Sequence, residues 1–247
     1  MRLDFSKTAL LEIDIQNDFC PAYTGKSGKE HPAGSLSVAG GGAVVYPLNN
    51  LAELVCKRGG KVLASQDWHP ADHVSFASSH KDRKAGDSIP LWVQEEAVEA
   101  FSKRYPDLEA PADLEIRQVL WPVHCVKESE GAAFHDDLKT EYVDFTFRKG
   151  FHKNIDSYSA FFENDRCTPT DLHDYLEKFP IDTILVGGLA TDYCVFYSVM
   201  DSLRLGYKTL LLEDATAGVN FPEGSVDNAK KTMKAAGAVF VLSKDIE

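Results

Sequence analysis

The 247-residue chain is short of several features that would announce a function directly. Cysteine occurs five times, an odd number, and never as CxxC. That argues against a disulfide framework or a zinc ribbon and suits a reducing compartment. Positive charge is scarce, with 26 Lys+Arg against 38 Asp+Glu and a net charge of −12. With no basic block, nucleic acid and anionic lipid are poor partners. No apolar run approaches the roughly 18 residues of a membrane span. P-loop, GxGxxG, HExxH and GxSxG motifs are all missing. The run Gly40-Gly41-Gly42 lacks the spacing and the lysine of a phosphate loop. The opening stretch MRLDFSKTALLEIDIQ carries Asp4, Lys7 and Glu12, so it does not read as a signal peptide. The final KDIE matches no prenylation or peroxisomal signal. A cytoplasmic location is expected.

What is present reads as one globular domain over residues 1–247, with 44% apolar residues. Strand candidates are Thr8–Ile15, Lys61–Asp67, Val143–Lys149, Asp182–Gly188, Lys208–Ala215 and Ala238–Ser243. Helical spacing appears at Val44, Leu48, Leu51 and Val55, stopped by Gly59-Gly60, then over Thr191–Gly206 and Pro222–Gly237. This alternation predicts a three-layer α/β/α fold around a mostly parallel six-stranded sheet. Gly25–Gly42 reads as a loop. Residues 75–117, polar and holding Pro90, Pro106 and Pro111, read as an insertion without a core of its own, with one helical segment over Leu91–Arg104.

The reactive side chains fall at strand ends. Asp14 ends the first strand, Asp67 the second and Lys149 the third; Cys194 follows the fourth, in the first turn of a helix. The carboxyl ends of parallel strands share one edge, where ligands bind. A helix N-terminus and a neighbouring ammonium both favour a thiolate, so Cys194 is the candidate nucleophile. The unpaired amides of GGLATDYC would suit an oxyanion. Cys20, Cys56, Cys125 and Cys167 better fit the bland reading of a free cysteine packed as a small hydrophobe. In Asp67-Trp68-His69 the carboxylate and imidazole share one side of an extended chain, and His124 could complete an Asp/His/His metal set. His73 and His80 are alternatives. His31, His135, His152 and His173 read as surface or structural.

Taken in order, DIQNDF (Asp14–Phe19), DWHP (Asp67–Pro70), WPVHC (Trp121–Cys125), RKG (Arg148–Gly150) and GGLATDYCV (Gly187–Val195) resemble the nicotinamidases of the isochorismatase-like cysteine hydrolases. The resemblance covers nearly the whole chain. It implies a catalytic triad of Asp14, Lys149 and Cys194, and an oxyanion hole from the amides of Ala190 and Cys194 behind a cis peptide bond. It implies metal ligands Asp67, His69 and His124, with zinc the first choice and iron or manganese permitted; His73 is a further ligand in some members. Phe19 and Trp121 would wall the substrate pocket, with Tyr158 and Tyr193 nearby. The implied reaction converts nicotinamide and water to nicotinate and ammonia through a thioester, in NAD salvage, with the metal holding the pyridine nitrogen. Pyrazinamide is a plausible side substrate. The alternatives are a related amidase for ureidoacrylate or a carbamoyl substrate, a vinyl-ether hydrolase, which Cys194 disfavours, and a silent binding protein. A homo-oligomer is compatible with the sequence.

Overall fold

TALLEI, strand β1 (Thr8–Ile13), is buried at every position. Such a strand belongs in the middle of a sheet covered on both faces. The computed structural model, which describes residues 1–247, has it there. In chain order come a small ribbon of β2 (Tyr23–Thr24) and β3 (Glu30–His31), helix α1 (Val45–Lys57) and β4 (Lys61–Asp67). Next are β5 (Ser88–Trp92), α2 (Glu95–Arg104), β6 (Glu115–Val119), β7 (Phe145–Lys149) and α3 (Asp171–Leu176). The chain closes with β8 (Thr183–Leu189), α4 (Cys194–Arg204), β9 (Lys208–Ala217), α5 (Ser225–Ala235) and β10 (Val239–Val241). Six strands form one wholly parallel sheet in the order β10-β9-β8-β1-β4-β7.

That order locates the site. From β1 the chain steps outward through β4 to β7, then resumes on the other side of β1 with β8, β9 and β10. The direction of winding reverses between β1 and β8, and open α/β sheets take ligands at the carboxyl ends beside such a reversal. β8 reaches β1 closely because Gly188, at φ +124°, has no side chain; a Cβ there would fall 2.1 Å from the Ile13 carbonyl oxygen.

Alternation along β1 sorts the core. Ala9, Leu11 and Ile13 meet Leu172 of α3, Val195 and Val199 of α4 and Met233 of α5. Leu10 shares the opposite cluster with Leu48, Leu51, Ala52 and Val55 of α1. Each such aliphatic side chain contributes roughly 1.5–3 kcal/mol on burial.

The six expected strands are present, with ends shifted by a few residues. The third starts at Phe145 because Thr140–Tyr142 forms a 3-10 turn ahead of it. Four expectations need correction. Leu91 and Trp92 pair with Ile116 and Glu115 as strand, so the helix expected from Leu91 begins only at Glu95. Within Gly25–Gly42 lie β3 and the start of a 3-10 turn (Gly41–Val44). Phe101, in the segment 75–117, is fully buried in the main core cluster, so that segment does contribute core surface. Cys56 lies exposed on α1 rather than packed.

Alternation also turns Glu12 inward. It is 1% exposed, and neither carboxyl oxygen has a hydrogen-bond partner. Its neighbours in register, Ala64 and Gly187, offer no side-chain donor. Burial pushes this carboxyl from an ordinary 4.5 up to about 8. The native state therefore holds a proton that the unfolded chain releases above pH 4.5. Stability is fully present below pH 4.5 and is lost as pH rises toward 8, at about 1.4 kcal/mol per pH unit. Glu12→Leu should remove this slope. Urea unfolding of the variant and the parent should give a gap that widens by several kcal/mol (about 3 or more) between pH 5 and pH 8; a gap constant with pH would contradict the assignment.

Candidate active site

β1, β4 and β7 each end their run beside a charged group. Asp14 follows β1 at φ +48°, a left-handed conformation that costs a non-glycine residue on the order of 1 kcal/mol. Ser65 of β4 secures it: the Asp14 N–H donates to Ser65 Oγ at 3.0 Å, and that hydroxyl donates to Asp14 Oδ1 at 2.6 Å. Lys149, the last residue of β7, is 1% exposed. Its ammonium lies 2.9 Å from Asp14 Oδ2, 2.5 Å from Asp67 Oδ1, 2.8 Å from the Ser157 carbonyl oxygen and 3.4 Å from Cys194 Sγ. Cys194 opens α4 directly beyond β8. The four strand-end residues singled out from the sequence therefore converge on one nitrogen.

Charge in this group is not balanced. One ammonium faces two carboxylates, all buried. Burial pushes the Cys194 thiol well above its ordinary value, and Lys149 only partly opposes this, while Asp14 and Asp67 add to it. Lys149 favours the thiolate while burial and the two carboxylates act against it, which fits Asp14 as the group that takes the thiol proton. Asp14 itself is pushed by burial, against the pull of Lys149, up to about 6. Burial also works to raise Asp67, but Lys149 and His69 outweigh it and hold that carboxylate well below its usual range.

Asp67, His69 and His124 bring a carboxylate oxygen and two ring nitrogens within 4.8 Å of one another. His69 Nδ1 donates to the Gly150 carbonyl oxygen at 2.7 Å, and His124 Nδ1 to that of Pro122 at 2.8 Å. A carbonyl only accepts, so each Nδ1 carries a hydrogen, and Nε2 is the atom of each ring left to serve as a metal ligand. Burial and the neighbouring His69 push His124 down to about 4, leaving it neutral. The donor set and the uncompensated negative charge both fit a divalent cation. Gly150 makes room for the His69 ring: at φ +62°, a Cβ there would sit 2.4 Å from His69 Cε1. His73 stacks on His69, and its two nitrogens are engaged by Ser75 Oγ at 2.7 Å and the Ile155 carbonyl oxygen at 3.0 Å.

A small cavity opens over the sulfur. Phe19, Trp121, Tyr158 and Tyr193 line it, together with Asp67, His124, Ala190 and Cys194. The Trp121 and Tyr193 rings meet edge-on at 4.8 Å between centroids. The Leu189–Ala190 bond is cis. Neither the Ala190 nor the Cys194 amide donates to an acceptor within the protein.

Several residues of the site escaped sequence reasoning. Gln16 accepts the Asp67 N–H at 2.9 Å and donates to the Asp67 carbonyl oxygen at 2.8 Å, fixing the turn out of β4. Asp18 Oδ2 accepts the Cys125 N–H at 2.7 Å and so anchors the loop carrying His124. Both lie inside DIQNDF, where their presence was the available signal. Ser65, the Ser157 carbonyl, Asp156 and Gln118 gave none.

Sheet topology and site geometry together define a class, the three-layer α/β/α hydrolases that work at the carboxyl edge of a parallel sheet. The chain belongs to the isochorismatase family: the family model described as Isochorismatase domain matches residues 8–245. A nicotinamidase of Escherichia coli is 40% identical over 97% of this chain and 96% of its own. The solved structure of an Acinetobacter baumanii nicotinamidase/pyrazinamidase superposes with a TM-score of 0.78 at 36% identity, covering 97% of this chain and 98% of the other. A Pyrococcus horikoshii pyrazinamidase in complex with zinc is similar at a TM-score of 0.67 and 25% identity, over 96% and 99% of the two chains.

Lys149 supplies the only cation that lowers the Cys194 pKa. Lys149→Met should move the pH profile of Cys194 alkylation by iodoacetamide upward by at least one unit, followed peptide by peptide by mass spectrometry. An unmoved profile would remove the ammonium's electrostatic role.

Proposed function

We propose that the chain is a nicotinamidase, hydrolysing nicotinamide to nicotinate and ammonia through a thioester on Cys194. The observation that carries this is the sulfur on the floor of an aromatic cavity, 3.4 Å from Lys149 Nζ, with Asp67 shared between that ammonium and the histidine pair. The near full-length similarity to a nicotinamidase at 40% identity supports the substrate.

Phe19, Trp121, Tyr158 and Tyr193 would hold the flat ring and set its carboxamide carbon over the sulfur. Such orientation can supply roughly 7–11 kcal/mol at best. Asp14, ionised at neutral pH, takes the thiol proton as sulfur attacks the carbon. A carboxylate with a value near 6 suits a base at that pH. The Ala190 and Cys194 amides, having no internal acceptor, receive the developing oxyanion. Lys149 spreads its charge over Asp14, Asp67 and the sulfur. Asp14 then returns its proton to the departing nitrogen, ammonia leaves, and the thioester remains. A water gives a proton to Asp14 as its oxygen attacks the thioester carbon; the C–S bond breaks, Asp14 passes that proton to sulfur, and the product acid loses its own proton to solvent as nicotinate leaves. Asp67, His69 and His124 would hold one divalent cation, zinc first, which when bound supplies a Lewis-acid anchor for the ring nitrogen.

The chain acts as a single domain, 1–247, with residues 75–117 inserted between β4 and β7. Each copy carries a full residue set, so a homo-oligomer is compatible with activity without being required by it. Five unpaired cysteines suit a reducing, cytoplasmic setting, and the product suits NAD salvage. No helix is long and apolar enough to cross a membrane.

The deciding experiment is ammonia release from nicotinamide, pyrazinamide and ureidoacrylate, with and without chelator. Nicotinamide turnover that chelation lowers, and that Cys194→Ala abolishes while nicotinate still binds, is the expected result. Ureidoacrylate as the preferred substrate, or substantial activity in Cys194→Ala, would overturn the reading.

Because Asp14 must be ionised to accept the thiol proton, kcat/KM should fall about tenfold per pH unit below about 6 and level off near 7. A flat profile between pH 4.5 and 7 would exclude Asp14 as the base.

A further inference from the structure

Behind the cavity wall lies a buried polar network that the reaction above does not use. Gln118 of β6, three residues before Trp121, is 0% exposed. Its amide orientation follows from groups whose roles are fixed. The Tyr158 N–H donates to Asn164 Oδ1 at 2.9 Å, so the Asn164 amide nitrogen is the atom that faces Gln118 and donates to its Oε1 at 3.0 Å. The Gln118 nitrogen then faces three acceptors: the Val119 carbonyl oxygen at 2.8 Å, Tyr158 Oη at 3.0 Å and Asp156 Oδ2 at 3.1 Å. Trp121 Nε1, which can only donate, reaches the same Tyr158 Oη at 3.0 Å.

Two donors thus converge on one phenol oxygen, and both belong to the segment 115–121. The tie runs from β6, through Gln118, to the hydrogen-bonded Tyr158 and Trp121 that line the cavity, and on to Asp156, another lining residue. Gln118 itself does not touch the cavity. Without it, Tyr158 Oη keeps only the Trp121 donor and the Asn164 amide nitrogen loses its acceptor, so no side-chain hydrogen bond ties the Tyr158 ring to β6.

We propose that Gln118 is a positioning residue: by donating to Tyr158 and Asp156 it sets the separation and tilt of the aromatic walls, and hence the affinity for a flat heteroaromatic ring. This rests on the amidase reading for its kinetic arm only. The role is in ring binding and not in thiol chemistry, because the network makes no hydrogen bond to Asp14, Lys149 or Cys194.

The test compares Gln118→Leu with the parent in three readouts: steady-state ammonia release from nicotinamide, nicotinate affinity by tryptophan fluorescence, and the rate of Cys194 alkylation. The expected result is a KM and a nicotinate Kd raised about tenfold, as for loss of one buried hydrogen bond to a fixed partner. Turnover number should stay within about threefold and alkylation rate within about twofold. Asn164→Ala, which releases Gln118 from its other side, should raise KM in the same direction, and it keeps the test open if Gln118→Leu does not fold. In a Tyr158→Phe background Gln118→Leu should add less than its effect alone, since part of its action passes through the phenol. An unchanged nicotinate Kd in a folded Gln118 or Asn164 variant would overturn the proposal, as would equal loss of kcat and of alkylation rate. Absence of turnover in the parent would instead sink the amidase reading, leaving the nicotinate arm to decide on Gln118.

Discussion

The ammonium of Lys149 is the constraint on which the site depends. It is wholly buried and joins the ends of β1, β4 and β7 to the start of α4. Removing one partner from such a group leaves an uncompensated buried charge, a loss of about 3–5 kcal/mol. The geometry therefore links folding and chemistry in one group of atoms. Asp67 extends the link, because one of its oxygens faces Lys149 while the other lies 3.6 Å from His69 Nε2. Thiol, base and histidine pair belong to one electrostatic system rather than to two adjacent sites.

Three buried carboxyls on neighbouring strands show how partners decide the outcome of burial. Glu12 has none, and desolvation alone carries it to about 8. Asp14, two residues later, has Ser65 and Lys149, which bring it back to about 6. Asp67 has Lys149 and His69, which overcome desolvation altogether. Desolvation acts in the same direction on all three. One is a neutral acid in the core, one is poised to exchange a proton near neutrality, and one is a permanent anion able to hold a cation.

Much of this was legible in the sequence because each key residue closes a recognisable run. Asp67 and Lys149 end strands at the residues expected, and Cys194 lies in the first turn of a helix as expected, though that helix starts at Cys194 and not at Thr191. Parallel alternation then suffices to bring them to one edge. What escaped depends on pairing between distant segments. Leu91 and Trp92 become strand only because Glu115 and Ile116 lie alongside. The six residues of α3 are too few to display a period. Gln118 and Ser65 act through side-chain hydrogen bonds to residues 40 and 51 positions away, and Ser157 through its backbone carbonyl, which no local pattern records. The forces on the Cys194 thiol were only half legible for a related reason: a helix start is visible in the sequence, but the depth of burial and the second carboxylate are not.

Burial of Cys194 has a protective side. Oxidation of a cysteine by peroxide requires access to the sulfur, and Cys194 is only 7% exposed. Cys56, exposed on α1, is the thiol that an oxidant or maleimide meets first. A fluorophore or crosslinker could therefore be attached to α1 while the Cys194 sulfur stays covered.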